Sequence, residues 1–303
     1  MLGTHSDVVT IPEFQTKIDI IRRLPTNGVD PGSAHDIAGS AGILLEFVND
    51  WRLKDWGIDL KEAAASLSPE IWKRASHRVL IERFVDQYGM KNDKSHATLW
   101  VDHTPSNSRF AATLLDLFPD AKMLHIVRDG RAIASSVMRL DWGPNTVLKA
   151  APWWVERVAY GLAAETLWGV ERVMRVTYEG LVADPAPSLQ KICHFLGIDY
   201  QPRMVEANGF TVPQYTASQH TLIGSPPRTD RINAWESILT ARQVEIFESR
   251  AGSFLHQLGY EACYGLQARQ ATNAERASLH ISELCHKWII NKTRYLARRR
   301  LAH

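Results

Sequence analysis

The sequence lacks most of the features that would assign it at once to a specialised class of protein. Its 303 residues contain only three cysteines, Cys193, Cys263 and Cys285, which are widely spaced and form no C-x-x-C pair. Such a set argues against a disulfide framework or a zinc site and favours a reducing, cytoplasmic compartment. No run approaches the roughly 18 consecutive apolar residues of a transmembrane helix. Residues 1–14 have neither the basic region nor the apolar core of a signal peptide.

The chain also has little net charge. Its 35 Lys and Arg residues face 33 Asp and Glu residues, which gives a formal charge of +2. Nothing in this balance points to nucleic acid as a partner, and any site for an anion must be local. The composition, 45% hydrophobic and 22% charged, is that of a globular protein long enough to bury a core without disulfides.

What the sequence does contain is a regular alternation of short apolar runs with helical patterns. Helical periodicity follows each of three β-prone runs, which are residues 98–101, 122–127 and 173–178. Strands that alternate with helices of this length predict an α/β fold in which helices cover both faces of a parallel sheet.

The segment that suggests chemistry is residues 124–138, LHIVRDGRAIASSVM. A buried strand ends at a charged turn and a helix begins at once, at the edge of the sheet where such folds bind ligands. Free N–H groups at a helix N-terminus suit a phosphate, which Arg128 and Ser136 would complete with a forked contact and a hydroxyl hydrogen bond. Alternatively, Arg128 pairs with Asp129 or another carboxylate, and Ser136 only packs.

The chain resembles the sulfotransferases that use 3′-phosphoadenosine-5′-phosphosulfate (PAPS), in the carbohydrate and protein-tyrosine branch. The resemblance extends from about residue 1 to about residue 262, and its blocks occur in the family order: FPDAKMLHIVRDGRAIASSVM, Trp153-Trp154, VTYEGLVADP, FLGI and RINAW. It implies a three-layer α/β/α fold of the P-loop type, with one domain over residues 1–262 and a helical substrate-side insertion at residues 26–95. It further implies that Arg128 and Ser136 bind the 3′-phosphate of PAPS, without a metal.

One part of the family pattern is missing from these residues. In the family, the first strand runs into a loop of the type G-x-x-R-S-G-T-T that cradles the 5′-phosphosulfate. No segment here has that pattern, so by this comparison the first strand and the loop are both absent from these residues. Two interpretations are open. Either Met1 is an internal methionine of a longer protein, or the chain is short and is inactive or binds the donor weakly.

Two further residues are candidates for catalysis by the same resemblance. His103 precedes Thr104-Pro105 where related enzymes often carry a lysine, so it would either stabilise the departing phosphate when protonated or act as a base. Glu13 stands where the resemblance places an acidic base. The alternatives are that His103 caps or packs at a helix start and that Glu13 is merely solvated.

The late segment HTLIGSPPRTDRINAW, residues 220–235, resembles the family loop that closes over the nucleotide. Ser225, Arg228 and Arg231 would reach the 3′-phosphate or the adenine, with Trp235 as an anchor. Alternatively, this is a surface loop whose arginines meet water.

Residues 263–303 lie past the resemblance and predict a basic amphipathic helix. No acid follows Glu283, while six Lys and Arg residues do. This tail would either contact an anionic membrane peripherally or dock on its own domain.

The sequence therefore predicts a sulfotransferase that moves a sulfuryl group from PAPS to a hydroxyl or amine and releases adenosine 3′,5′-bisphosphate. The rival prediction is a non-catalytic remnant that binds the nucleotide or a partner. Neither the acceptor nor the oligomeric state is encoded in a recognisable motif.

Overall fold

The computed structural model describes residues 1–21, 50, 53, 56–57, 77–220 and 222–301. Most of the predicted insertion at residues 26–95 lies outside these ranges. The strands are β1 (Val8–Ile11), β2 (Leu99–Asp102), β3 (Met123–Val127) and β4 (Val173–Thr177). The helices are α1 (Gln15–Ile21), α2 (His77–Lys91), α3 (Ala111–Leu117), α4 (Gly130–Val137), α5 (Val147–Arg172), α6 (Tyr178–Ala183), α7 (Pro185–Leu196), α8 (Trp235–Ile238), α9 (Ala241–Gln257), α10 (Asn273–Cys285) and α11 (Asn291–Leu301).

The chain divides into two compact units. The first comprises Met1–Ala121, Tyr200–Pro226 and Leu301–His303, and the second comprises Lys122–Asp199 and Pro227–Arg300. The segment after residue 262 thus belongs to the second unit as far as Arg300, and the predicted domain boundary at 262 stays a prediction.

The first unit is built on the parallel pair of β1 and β2, in a register that sets Val8 beside Leu99 and Ile11 beside Asp102. Its core is aromatic: the ring of Trp56 lies edge-on to Phe14 at 5.0 Å and to Tyr88 at 5.3 Å, measured between centroids. Phe14 is the third residue after β1, so this packing helps to fix the path of the chain beyond the carboxyl end of the strand.

The second unit is built on the parallel pair of β3 and β4, whose register runs from Met123 beside Val173 to Val127 beside Thr177. Helices α4 and α5 form the crossover between the two strands, as a parallel connection requires. All three predicted β runs are strands followed by helices, so the α/β class is confirmed. Among the described residues, no helix is both long and apolar enough to cross a bilayer.

A close contact between α5 and β3 depends on a glycine. A Cβ added at Gly161 would lie 2.1 Å from Nε2 of His125, a buried side chain whose Nδ1 lies 2.5 Å from Oε1 of Glu165. We expect Gly161→Ala to lower the free energy of unfolding by about 1–3 kcal/mol, because the buried ring must shift to admit a methyl group. Denaturant unfolding followed by circular dichroism measures the change.

Gly252→Ala is the matched control for this prediction. Gly252 also lies within a helix, but a Cβ there would meet only Cβ of Glu248, at 3.9 Å. Alanine should stabilise that helix slightly because it restricts the unfolded chain and favours helix. Equal effects of the two substitutions would show that the His125 contact does not constrain α5.

Candidate functional site

Arg128 follows β3 directly and stands at the carboxyl end of the second unit's sheet. Because Val127 pairs with Thr177, the next residues along the two strands, Arg128 and Tyr178, also meet. The guanidinium carbon of Arg128 lies 4.0 Å from the centroid of the Tyr178 ring. Nη2 of Arg128 donates to the carbonyl oxygen of Arg231 at 2.8 Å. The guanidinium is therefore held in one plane, stacked on a ring.

One N–H donor of the same guanidinium is not used in a hydrogen bond among the described residues. Nε of Arg128 is buried and has no hydrogen-bond partner in the described part of the chain. Within those residues Arg128 also makes no ion pair, so the alternative in which Asp129 neutralises it is not what the structure has. A buried N–H without a partner is costly, and a planar guanidinium suits an oxyanion such as phosphate.

The turn between β3 and α4 is fixed by hydrogen bonds on several sides. Oε1 of Glu179 accepts from the backbone N–H of Asp129 at 3.0 Å, and Nε1 of Trp154 donates to the carbonyl of Arg128 at 3.2 Å. The hydroxyl of Tyr260 donates to Oε2 of Glu179 at 3.0 Å. Burial, and then the charge of Glu179, raise the pKa of Tyr260, so this phenol stays a donor.

Asp129 caps α4 and pairs with Arg131, not with Arg128 as in the alternative interpretation. Its Oδ1 accepts from the backbone N–H of Arg131 at 2.8 Å, and its Oδ2 accepts from Nη2 of the same residue at 2.7 Å. Arg131 is buried and also donates to Oε1 of Glu248 at 2.8 Å. Gly130 has no space for a side chain, since a Cβ there would lie 2.5 Å from the ring of Trp154.

The other residues predicted to bind the nucleotide differ in their exposure and in their hydrogen-bond partners. Ser136 is exposed on α4, and its hydroxyl makes no hydrogen bond within the described residues. The half-buried Arg231 contributes its carbonyl to Arg128, while its guanidinium makes no hydrogen bond or ion pair among those residues. Arg228 is exposed and is bound by Asp230 at 2.8 Å. Ser225 is exposed and belongs to the first unit, whereas the arginines belong to the second.

Glu13 and His103 follow the paired strands of the first unit and so lie at the same edge of its sheet. Their loops are joined by their neighbours, since the backbone N–H of Phe14 donates to Oγ1 of Thr104 at 2.7 Å. Thr104 in turn donates to Oδ1 of Asp102, from its backbone N–H at 2.9 Å and from its hydroxyl at 2.5 Å. Glu13 is half-buried.

A buried ion pair supports this edge, and sequence reasoning did not single it out. Nζ of Lys17 binds Oδ2 of Asp102, and it also donates to Oδ1 of Asn107 at 2.9 Å. Burial alone would raise the pKa of Asp102, but Lys17 and the hydrogen bonds from Thr104 outweigh it and lower the pKa. The available signal was a lysine on the apolar face of α1, between Thr16 and Ile18.

The surroundings of His103 favour its neutral form. Its ring lies edge-on to Phe210 with 5.1 Å between centroids. Although the residue is exposed on one side, partial burial lowers its pKa and His220 lowers it further, against the opposing effect of Asp102. A neutral imidazole accepts a proton but does not neutralise a phosphate.

Comparison with known proteins places these observations in one family. The sequence profile described as "Sulfotransferase family" matches residues 1–202. Carbohydrate sulfotransferase 2 of Mus musculus is 27% identical over an alignment of 195 residues that covers 50% of this chain and 37% of that protein. The 3-alpha-hydroxysteroid sulfotransferase of Cavia porcellus is 25% identical over an alignment of 201 residues that covers 54% of this chain and 66% of that protein.

A solved structure is similar in fold. The sulfotransferase domain of the Synechococcus PCC 7002 olefin synthase matches with a TM-score of 0.57 at 19% identity, covering 86% of this chain and 88% of that domain. The chain therefore belongs to the sulfotransferase family, as the resemblance implied. It spans 37% of the length of the mouse relative.

Proposed function

We propose that this chain contributes the 3′-phosphate site and the acceptor-side base of a sulfotransferase that moves a sulfuryl group from PAPS to a hydroxyl. The observation that carries the proposal is the guanidinium of Arg128, stacked on Tyr178 with a buried, unmatched Nε among the described residues. In the sulfotransferase family, this position and Ser136 bind the 3′-phosphate of PAPS.

A site for the 3′-phosphate of PAPS needs a positive charge that is fixed in position and is not already paired with a carboxylate. Arg128 meets both conditions within the second unit, and the backbone carbonyl of Arg231 helps to hold it. Ser136 offers a hydroxyl on α4, the helix whose N-terminus follows Arg128. Arg228 is the weakest of the expected ligands, because Asp230 already binds it. PAPS, when bound, supplies the activated sulfuryl group.

The acceptor side needs a base. Glu13 or His103 takes the proton of the acceptor hydroxyl while the acceptor oxygen bonds to sulfur and the bond from sulfur to the 5′-phosphate breaks. The hydrogen bond between Phe14 and Thr104 positions the two candidate bases at one edge of the first unit's sheet. A hydroxyl acceptor agrees with the relatives, whose names specify carbohydrates and a hydroxysteroid. An amine remains the alternative acceptor.

A second candidate function is a remnant that binds the nucleotide without transferring sulfate. We further propose a reducing, cytoplasmic location, since all three cysteines are unpaired.

Calorimetric titration with adenosine 3′,5′-bisphosphate, compared with adenosine 5′-monophosphate, tests the proposal. We expect micromolar binding of the bisphosphate and at least about 10-fold weaker binding of the monophosphate, which lacks the phosphate that Arg128 would hold. Transfer of radiolabelled sulfate from PAPS to a panel of alcohols and sugars then separates the enzyme from the remnant. A folded chain that binds both nucleotides equally, or neither, contradicts the 3′-phosphate site.

A further inference from the structure

The C-terminal helices α10 and α11 attach to the second unit through polar contacts. Glu283 accepts a hydrogen bond from the backbone N–H of Asn145 at 3.1 Å and another from the hydroxyl of Thr146 at 2.9 Å. Farther along, Nδ2 of Asn291 donates to Oδ1 of Asn145 at 2.8 Å. Asn291 is buried. The contacts of these helices with Asn145 and Thr146 are thus polar, while Leu279 of α10 packs against an apolar cluster of the second unit.

A π-helical turn keeps Glu283 and Asn291 on the same side of the two helices. Residues His286–Ile290 form the turn between α10 and α11, and the backbone N–H of Asn291 bonds to the carbonyl of His286, five residues earlier. An uninterrupted α-helix would bring the fourth residue, not the fifth, back to the same side. The extra residue lets both Glu283 and Asn291 reach Asn145.

The side turned away from the protein carries exposed apolar side chains, where a surface helix usually presents polar ones. Trp288 and Ile289 are each 65% exposed and Ile281 is 61% exposed. We call this side the tail face, and its large apolar side chains are Ile281, Leu284, Trp288, Ile289, Tyr295 and Leu296. Contiguous exposed apolar surface of this kind marks an interaction site.

The charges beside the tail face indicate what covers it. Lys287 and Lys292 are exposed between its apolar side chains, and no acid occurs after Glu283. A second copy of this chain on the same face would bring like charges together. Anionic lipid instead accepts tryptophan and tyrosine at its interface and attracts the lysines. We propose that the tail face docks on an anionic membrane surface, with its apolar side chains at the headgroup boundary.

Sedimentation with lipid vesicles tests the proposal. The chain should bind mixed phosphatidylcholine–phosphatidylserine vesicles at least about 10-fold more tightly than vesicles of phosphatidylcholine alone, and less tightly as salt rises. The double variant Trp288→Ala with Ile289→Ser should lose about 10-fold or more of this binding. Lys287→Gln with Lys292→Gln should lose a similar factor, because each lysine near the surface contributes attraction.

The matched control is Leu167→Ser with Val170→Ser, which removes two other exposed apolar side chains of the second unit, 71% and 81% exposed. It should bind vesicles like the wild type. The proposal is overturned if the folded wild-type chain does not bind mixed vesicles. It is also overturned if the control and the tail-face variants lose vesicle binding equally. Light scattering that shows a dimer which Trp288→Ala with Ile289→Ser converts to a monomer overturns it as well.

Discussion

Replacing Arg128 by alanine is expected to weaken the binding of adenosine 3′,5′-bisphosphate by about 100-fold or more. Each charge-assisted hydrogen bond contributes about 1.5–3 kcal/mol, and a forked guanidinium makes two of them. The stacking on Tyr178 and the bond to the carbonyl of Arg231 hold this group before a ligand arrives. Because the guanidinium is already ordered, binding costs little further conformational entropy. Isothermal calorimetry measures the loss of affinity directly.

Two comparisons separate this effect from damage to the fold. Arg128→Lys keeps the charge but loses the planar fork, so it should fall between alanine and the wild type. Arg250→Ala removes an exposed charge from α9 in the same unit and should bind like the wild type. Adenosine 5′-monophosphate should bind all these variants alike. A loss of monophosphate binding as large as that of the bisphosphate would mean that Arg128 acts on the fold and not on the 3′-phosphate.

The strands could be predicted because local sequence determines them. Residues 122–127 and 173–178 are short apolar runs bounded by charge, and β3 and β4 fall within one residue of those limits. The pairing could not be predicted in the same way. The sequence contains no signal for the register that sets Val127 beside Thr177, and it is this register that brings Tyr178 under Arg128.

For the candidate site, too, the sequence indicated some of the residues but not the contacts that hold them. Position at a strand end indicated Arg128, because ligands bind at the carboxyl edge of parallel strands, whereas Glu13 and His103 became candidates only through the family resemblance. The partners that fix them come from distant segments. Lys17 reaches Asp102 across 85 positions of the chain, and Tyr260 reaches Glu179 across 81. Hydrophobic periodicity carries no information about such polar contacts.

The arginine that Asp129 neutralises illustrates the same limit. Arg128 and Arg131 both lie close to Asp129 in sequence, so spacing alone cannot choose between them. The choice follows from the cap: once Oδ1 of Asp129 accepts from the backbone N–H of Arg131, the carboxylate points along α4 toward that side chain. Arg128 is left on the strand side, stacked on Tyr178.

Replacing Arg131 by methionine should destabilise the second unit by about 3–5 kcal/mol, because it leaves buried carboxylates without their cation. Arg131 is 4% exposed, and it binds Asp129 at 2.7 Å and Glu248 at 2.8 Å while stacking on Trp235 at 4.1 Å. Unfolding in guanidinium chloride, followed by circular dichroism, measures the change. Arg228→Met is the matched control, since Arg228 and Asp230 are both 57% exposed and water replaces their contact.

The cause of that loss can be tested by removing the charges that Arg131 balances. Adding Asp129→Asn and Glu248→Gln to Arg131→Met should recover part of the stability, because neutral amides tolerate burial better than unpaired carboxylates. The new asparagine can still cap α4, and the amide oxygen of the new glutamine can still accept from the backbone N–H of Cys263, which Glu248 now binds at 2.9 Å. If the triple variant is no more stable than Arg131→Met, the loss comes instead from the stacking on Trp235. The arginine would then support the turn that carries Arg128 by its shape and not by its charge.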